Sequence, residues 1–246
     1  MTQKNPPTYE LHELFNGRLA VYQGKSGYRF SVDSILLGAF AAQRVSGSVA
    51  DLGTGCGILP IIIHRHTNGT HITGIEIQED LAALARKNIK LGACGPRVSI
   101  ACADIRDHRA GFSPETFDCV ITNPPFYAAG TGRVNPDSQN AIARHELYGT
   151  LQDFVDAGAF LLRLSGKFLT IYRAARVVDL VTTMRRKNIE PKTLQFVHSR
   201  GDEPATMVLV EGVKGAGTEA TVLPPLVLYQ SEGVYSDQAQ AIFDTI

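Results

Sequence analysis

The chain has 246 residues, 44% hydrophobic and 20% charged, enough to bury one substantial α/β core. Its 24 basic residues balance 24 acidic ones. That removes any bulk electrostatic argument for nucleic-acid binding and leaves such contact to local clusters. The polar start, with Pro6 and Pro7, carries no secretory signal, and no apolar run reaches the roughly 20 residues of a membrane span. Cys56, Cys94, Cys102 and Cys119 form no CxxC pair. They read as small buried hydrophobes in a reducing compartment, so neither a zinc site nor a redox pair is suggested. His64, His66 and His71 lack the spacing of a metal motif, so no metal is expected. The expectation is a soluble, cytoplasmic protein.

Residues 1–26 read as a loose N-terminal leader punctuated by Gly17, Gly24 and nearby Gly27. SVDSILLGAFAAQ from Ser31 reads as a helix with Ser31 or Asp33 as N-cap. Strand and helix signals then alternate: strand 48–52, helix 58–66, strand 71–77, helix 79–92, strand 97–104, strand 117–123 and helix 151–164. Strand 166–172, helix 176–188 and a hairpin-like strand pair, 193–199 with 205–212, complete the series. Such alternation implies an α/β, Rossmann-like fold, a doubly wound and mostly parallel sheet with an antiparallel last strand. The glycines of 212–217 and Pro224–Pro225 mark the end of the regular region. The expected organisation is a 1–26 leader, one domain over 27–221, and a 222–246 tail packed on it.

Asp51-Leu-Gly53-Thr-Gly55-Cys-Gly57 joins the first core strand to the first core helix. Glycine is required where backbone turns tightly at positive φ or closely approaches a ligand, and doubly wound sheets bind ligands at this carboxyl edge. The third glycine falls one place too early for the dinucleotide pattern GxGxxG. The spacing instead resembles the DxGxGxG loop of class I methyltransferases, whose cofactor, S-adenosylmethionine, presents an amino-acid tail rather than a pyrophosphate. Glu76, near the end of the second strand, is placed to accept both ribose hydroxyls. Asp104, after the third, is placed to accept from the adenine amine, with Ile77 and Ile105 on either side of the ring.

Asn123-Pro124-Pro125-Phe126 follows the fourth strand at the same edge. Two prolines offer no N–H, so the turn is rich in acceptors. An adenine N6 amine or glutamine amide is a poor nucleophile because its lone pair is delocalised. With the Asn123 side-chain oxygen and the Pro124 carbonyl each accepting one N–H, the nitrogen is oriented for attack without a strong base. Phe126 is expected to stack on the target, worth about 1–3 kcal/mol for a base.

The chain is similar to the bacterial valine-tRNA adenine-N6 methyltransferases, class I enzymes with an NPP-aromatic motif. The resemblance rests on these loops and on Gly27-Tyr-Arg-Phe-Ser-Val-Asp33-Ser-Ile-Leu-Leu, Ala143-Arg-His-Glu146 and Val222-Leu-Pro-Pro-Leu. It implies methyl transfer from S-adenosylmethionine, leaving S-adenosylhomocysteine, to N6 of the adenosine 3′ of the anticodon. Tyr28, Phe30 and Asp33 are then expected to close over the cofactor, and Tyr127, Arg144 and His145 to face the RNA. Taken alone, GYRFSVDS is equally an ordinary helix start and Arg144-His145-Glu146 a solvated loop. The long 127–144 segment is expected to order over bound substrate. Arg185, Arg186 and Lys187, with Lys192, Arg200 and Lys214, are candidate RNA contacts, the first three being equally favourable charges at a helix C-terminus. Arg86, Lys87 and Lys90 read as a solvated face. Alternative acceptors with the same electronics are a protein glutamine amide and guanine N2 in RNA. Oligomeric state is left open.

Overall fold

A computed structural model describes residues 9–15, 17–25, 30–126 and 149–246. The expectations for Tyr28, for Tyr127 and the segment after it, and for Arg144 and His145 lie outside the described residues.

The core strands are β3 (Ser48–Leu52), β4 (His71–Glu76), β5 (Val98–Cys102), β6 (Phe117–Thr122), β7 (Leu162–Arg173), β8 (Ile189–His198) and β9 (Ala205–Lys214). They lie in the order β5-β4-β3-β6-β7-β9-β8. Pairings from β5 to β7 are parallel, whereas β9 runs antiparallel to both neighbours. The fold is therefore the doubly wound, mostly parallel α/β sheet with an antiparallel strand that the alternating signals implied. β9 inserts inside β8 because a hairpin-like return from β8 places it against the open edge of β7.

The connecting helices are α1 (Val32–Ala42), α2 (Ile58–His66), α3 (Glu79–Leu91), the short α4 (His108–Gly111), α5 (Leu151–Leu161) and α6 (Val177–Arg186). Two hydrophobic clusters divide them between the faces of the sheet. Leu36, Ile62 and Leu84 from α1–α3 belong to one, and Phe154, Leu180 and Met184 from α5 and α6 to the other. The helix expected through residue 164 ends at Leu161, and Leu162, fully buried, already pairs with Phe117. Sheet pairing there outweighs the helical preference of a leucine-rich run.

Residues 9–24 are not a loose leader. They form an antiparallel hairpin, β1 (Tyr9–Leu14) with β2 (Leu19–Gly24). Leu19, Val21 and Gln23 turn inward at alternate positions, a period-two pattern that the flanking glycines obscured. Regular structure also continues past Pro225. β10 (Thr221–Val222) and β11 (Leu226–Val227) extend the sheet beside β8, and β12 (Tyr229–Ser231) pairs with β13 (Val234–Tyr235). Helix α7 (Asp237–Thr245) follows, capped by the Ser236 hydroxyl, which accepts from Ala239 N at 3.1 Å. Phe243 of α7 stacks on Phe15 at 5.7 Å, and Arg18 binds the last turn of α7 through the Phe243 and Asp244 carbonyls and the Asp244 carboxylate. Both ends of the described chain thus pack against each other and the core. Cys56, Cys94 and Cys119 are buried as expected, but Cys102 at the end of edge strand β5 is exposed. No described helix is long and apolar enough to cross a membrane.

Candidate active site

The glycine loop leaves β3 after Leu52 and is strapped to the neighbouring strand. Gly53 N and Thr54 N both donate to Ile75 O, at 2.9 and 3.0 Å. Gly53, Gly55 and Gly57 have φ of +72°, +59° and +84°, the left-handed region that glycine enters at no steric cost. A Cβ on Gly57 would also press within 3.2 Å of Ala85 on α3, and one on Gly53 within 3.1 Å of the Phe154 ring. Conformation and close approach together explain the glycines.

Glu76, at the end of β4, has each carboxylate oxygen held by a backbone N–H, Oε2 by Gly55 and Oε1 by Gln78, both at 2.9 Å. Burial pushes its carboxyl above the usual range, while those N–H donors oppose the shift. Asp51 is fully buried, and burial, opposed by the nearby Thr54 hydroxyl and reinforced by the Glu76 charge, pushes its carboxyl up to about 7, although Thr54 is not within good hydrogen-bond geometry of it. Neither Asp51 oxygen nor the Thr54 hydroxyl beside it has a hydrogen-bond partner among the described residues. Buried polar groups are almost always paired, so these atoms suit a cationic or hydrogen-bonding ligand.

Asn88 holds this cradle from behind. Fully buried on α3, its Nδ2 donates to Cys56 O of the loop and to Tyr22 O of β2, both at 2.9 Å, and its Oδ1 accepts from Tyr22 N at 2.8 Å. One amide therefore ties the hairpin, the loop and the helix together. It escaped the sequence reading, although an asparagine three residues after buried Ala85 on the apolar face of an amphipathic helix was a usable signal. Lys87 is likewise not simply solvated, since its ammonium lies 3.5 Å from the Tyr22 ring centroid.

The adenine-side residues depart in part from expectation. Asp104 caps a short 3-10 turn, accepting from Arg106 N at 2.9 Å, and its carboxylate also grips the Arg106 guanidinium, with Nη2 at 2.6 Å from Oδ2. The guanidinium holds Asp104 below the ordinary carboxylate range. Any further donor must share these oxygens with Arg106. Ile105 is buried in the core with Phe154, whereas Ile77 remains half-exposed.

On the adjacent strand, β6 ends at buried Thr122, whose hydroxyl donates to Leu52 O at 3.0 Å and fixes the start of the Asn-Pro-Pro-Phe turn beside the glycine loop. Asn123 Nδ2 donates to the Ser34 hydroxyl of α1 at 3.2 Å, while Asn123 Oδ1 is buried without a partner among the described residues. Pro124 is buried and Pro125 half-buried. The Phe126 ring meets Tyr172, at the end of β7, edge-on at 5.6 Å. On α1, Ser31 occupies the N-cap position without capping, and its hydroxyl donates to Asp33 Oδ2 at 2.8 Å instead. Desolvation raises the Asp33 carboxyl above the ordinary range. Phe30 packs partly buried against the core beside α1.

Thus Asp51, Gly53, Gly55, Gly57, Glu76 and Asn123 gather at the carboxyl edges of three neighbouring strands. Three members of the basic cluster expected to touch RNA stand elsewhere. Arg185 pairs with Glu190 at 3.0 Å, Lys187 with Asp156 at 2.8 Å and Lys214 with Glu115 at 3.2 Å, at the opposite edge where β8 begins and β9 ends.

Comparison with known proteins agrees with this geometry. The model of the methyltransferase small domain family matches residues 31–175. A tRNA1(Val) (adenine(37)-N6)-methyltransferase of Porphyromonas gingivalis strain W83 is 30% identical over 185 residues, covering 73% of this chain and 69% of that protein. One from Tolumonas auensis is 28% identical over 242 residues, covering 95% of each. Among solved structures, a predicted O-methyltransferase from Agrobacterium tumefaciens shares the fold with a TM-score of 0.70 at 21% identity, covering 87% of this chain and 96% of that one. The chain belongs to the methyltransferase small domain family, and within it to the group of the tRNA1(Val) (adenine(37)-N6)-methyltransferases.

Proposed function

We propose that this protein uses S-adenosylmethionine to methylate N6 of an adenosine in tRNA, at position 37 as the names of its curated relatives state. The observation that carries this reading is the pair of buried, unpartnered acceptors at the carboxyl edge of adjacent strands, Asp51 on β3 and Asn123 Oδ1 just after β6. The residues fit the cofactor. Orphaned Asp51 answers an ammonium, the Glu76 carboxylate answers a pair of ribose hydroxyls, and half-exposed Ile77 is left for the adenine side, where Asp104 is shared with Arg106 and Ile105 supports from the core. Asp33, beside Ser34 on α1, and Phe30, just before the helix, are the nearest candidates to complete the pocket from that side. When bound, the cofactor supplies an electrophilic methyl group on a sulfonium.

The protein's own part is orientation. Asn123 Oδ1 and the Pro124 carbonyl accept the two N–H bonds of the exocyclic amine, turning its lone pair out of conjugation. As the nitrogen gains positive charge these bonds strengthen, so the stabilisation is greatest in the transition state. Phe126, braced by Tyr172, offers its face to the adenine ring. Pairing with an ammonium favours ionised Asp51, so cofactor binding is coupled to loss of its proton.

The test is transfer of radiolabelled methyl groups from S-adenosylmethionine to unmodified total tRNA by wild type and Asn123→Ala. Wild type should label one adenosine as N6-methyladenosine. The variant should lose roughly 10²- to 10³-fold in rate with cofactor affinity intact, the usual cost of one transition-state hydrogen-bonding group. Label in protein glutamine or guanine N2, with none in adenine, overturns the reading.

A further inference from the structure

An asparagine amide has two ends of nearly equal size, one a donor and the other an acceptor, and only partners decide which end faces a substrate. At position 123 the choice decides activity. Oδ1 toward the target accepts its N–H, whereas Nδ2 toward the target sets donor against donor. The strand and the prolines fix the backbone but not this rotation about the final side-chain bond.

We propose that Ser34 is the positioning residue that anchors the amide in this rotation. A hydroxyl can accept or donate, so Ser34 supplies the anchor and the target's own N–H bonds select the end with Oδ1 outward. The Ser34 hydroxyl accepts from Asn123 Nδ2 at 3.2 Å, 89 residues away in sequence, and leaves Oδ1 without a competing partner among the described residues. Ser34 is only 2% exposed, so solvent does not compete for the bond. Helix packing holds it there. Gly38 lies one turn further along the same face of α1, and a Cβ on it would come within 2.9 Å of Ile62 on α2. The missing side chain lets α1 lie close over α2, and Ile35, Leu36 and Leu37 around Ser34 are buried in the core. Ser34 thus acts through Asn123 and need not touch substrate. The role of Ser34 in catalysis rests on the methyltransferase reading above, while the hydrogen bond itself does not.

Ser34→Ala tests both parts. The single-turnover rate of methyl transfer to tRNA should fall roughly tenfold, the scale of one lost buried hydrogen bond, with dissociation constants for S-adenosylmethionine and tRNA within about twofold of wild type. In the Asn123→Ala background the same substitution should add nothing, because the two residues act as one unit. Independently of activity, the side-chain NH2 signals of Asn123, assigned by their loss in Asn123→Ala, should exchange with water markedly faster in Ser34→Ala. An unchanged rate with unchanged amide exchange overturns the proposal. So does a parallel loss of rate, cofactor affinity and thermal stability, which would make Ser34 merely structural. Should wild type fail to methylate tRNA at all, the functional reading falls, and the amide-exchange measurement alone decides whether Ser34 anchors Asn123.

Discussion

The two edges of the central sheet treat polar groups in opposite ways. At the edge where β6 and β7 begin, charges are matched: Arg44 and Lys167 share Glu211 at 3.2 and 3.3 Å, and Arg163 meets Asp118 at 2.7 Å. At the other edge, where β3 and β6 end, Asp51, Thr54 and Asn123 supply four of the seven buried side-chain atoms that lack a partner among the described residues. A folded chain tolerates orphans where a ligand completes them. The Arg185–Lys187 cluster is largely occupied by neighbouring acids, whereas the site is marked by missing partners.

Substitutions at the orphaned edge should act on binding. Glu76→Ala removes a charged acceptor and frees Gly55 N and Gln78 N, so calorimetry should show affinity for S-adenosylmethionine weakened by about 10- to 100-fold. Unchanged affinity would separate Glu76 from the cofactor pocket.

Asp51 gives a pH-dependent effect on stability of definite sign. Its carboxyl lies at about 7 in the folded chain, against about 4 when unfolded. The folded state therefore holds the extra proton across that interval, and its contribution to stability is full below about pH 4 and is lost as pH rises through about 7. Urea unfolding of the free protein should show wild type losing stability relative to Asp51→Asn between these limits. Saturating cofactor should shrink the difference, because an ammonium offsets the buried charge. The smallest effect belongs to the paired edge. Arg163→Ala should cost less than about 1 kcal/mol, since both partners of that ion pair are substantially exposed, and methyl transfer should be unchanged. A large loss of activity there would erase the distinction between the edges.

Much of this was legible in the chain. The 3.6- and 2-residue periodicities located β3–β9 and α1–α3, because a helix or strand with one buried face must repeat its apolar residues at its own pitch. The glycine loop and Asn123-Pro-Pro-Phe were legible because backbone conformation and missing N–H groups are properties of residue type. Less visible were the hairpin at 9–24 and the end of the sequence. β10 and β11 are two residues each, stable only because β8 is already there to pair with, and α7 is held by Phe15 and Arg18 from the far end of the chain.

Local sequence thus determined the cradle and the acceptor turn, since steric freedom at glycine and the chemistry of proline and asparagine act over a few residues. Tertiary structure alone decided which polar atoms are satisfied and which are left open. Arg106 occupies Asp104, Asn88 fastens the glycine loop, and Ser34 anchors the Asn123 amide. Hydrogen bonding is directional and short-ranged, so a partner 32 or 89 residues away is fixed only once the helices have packed.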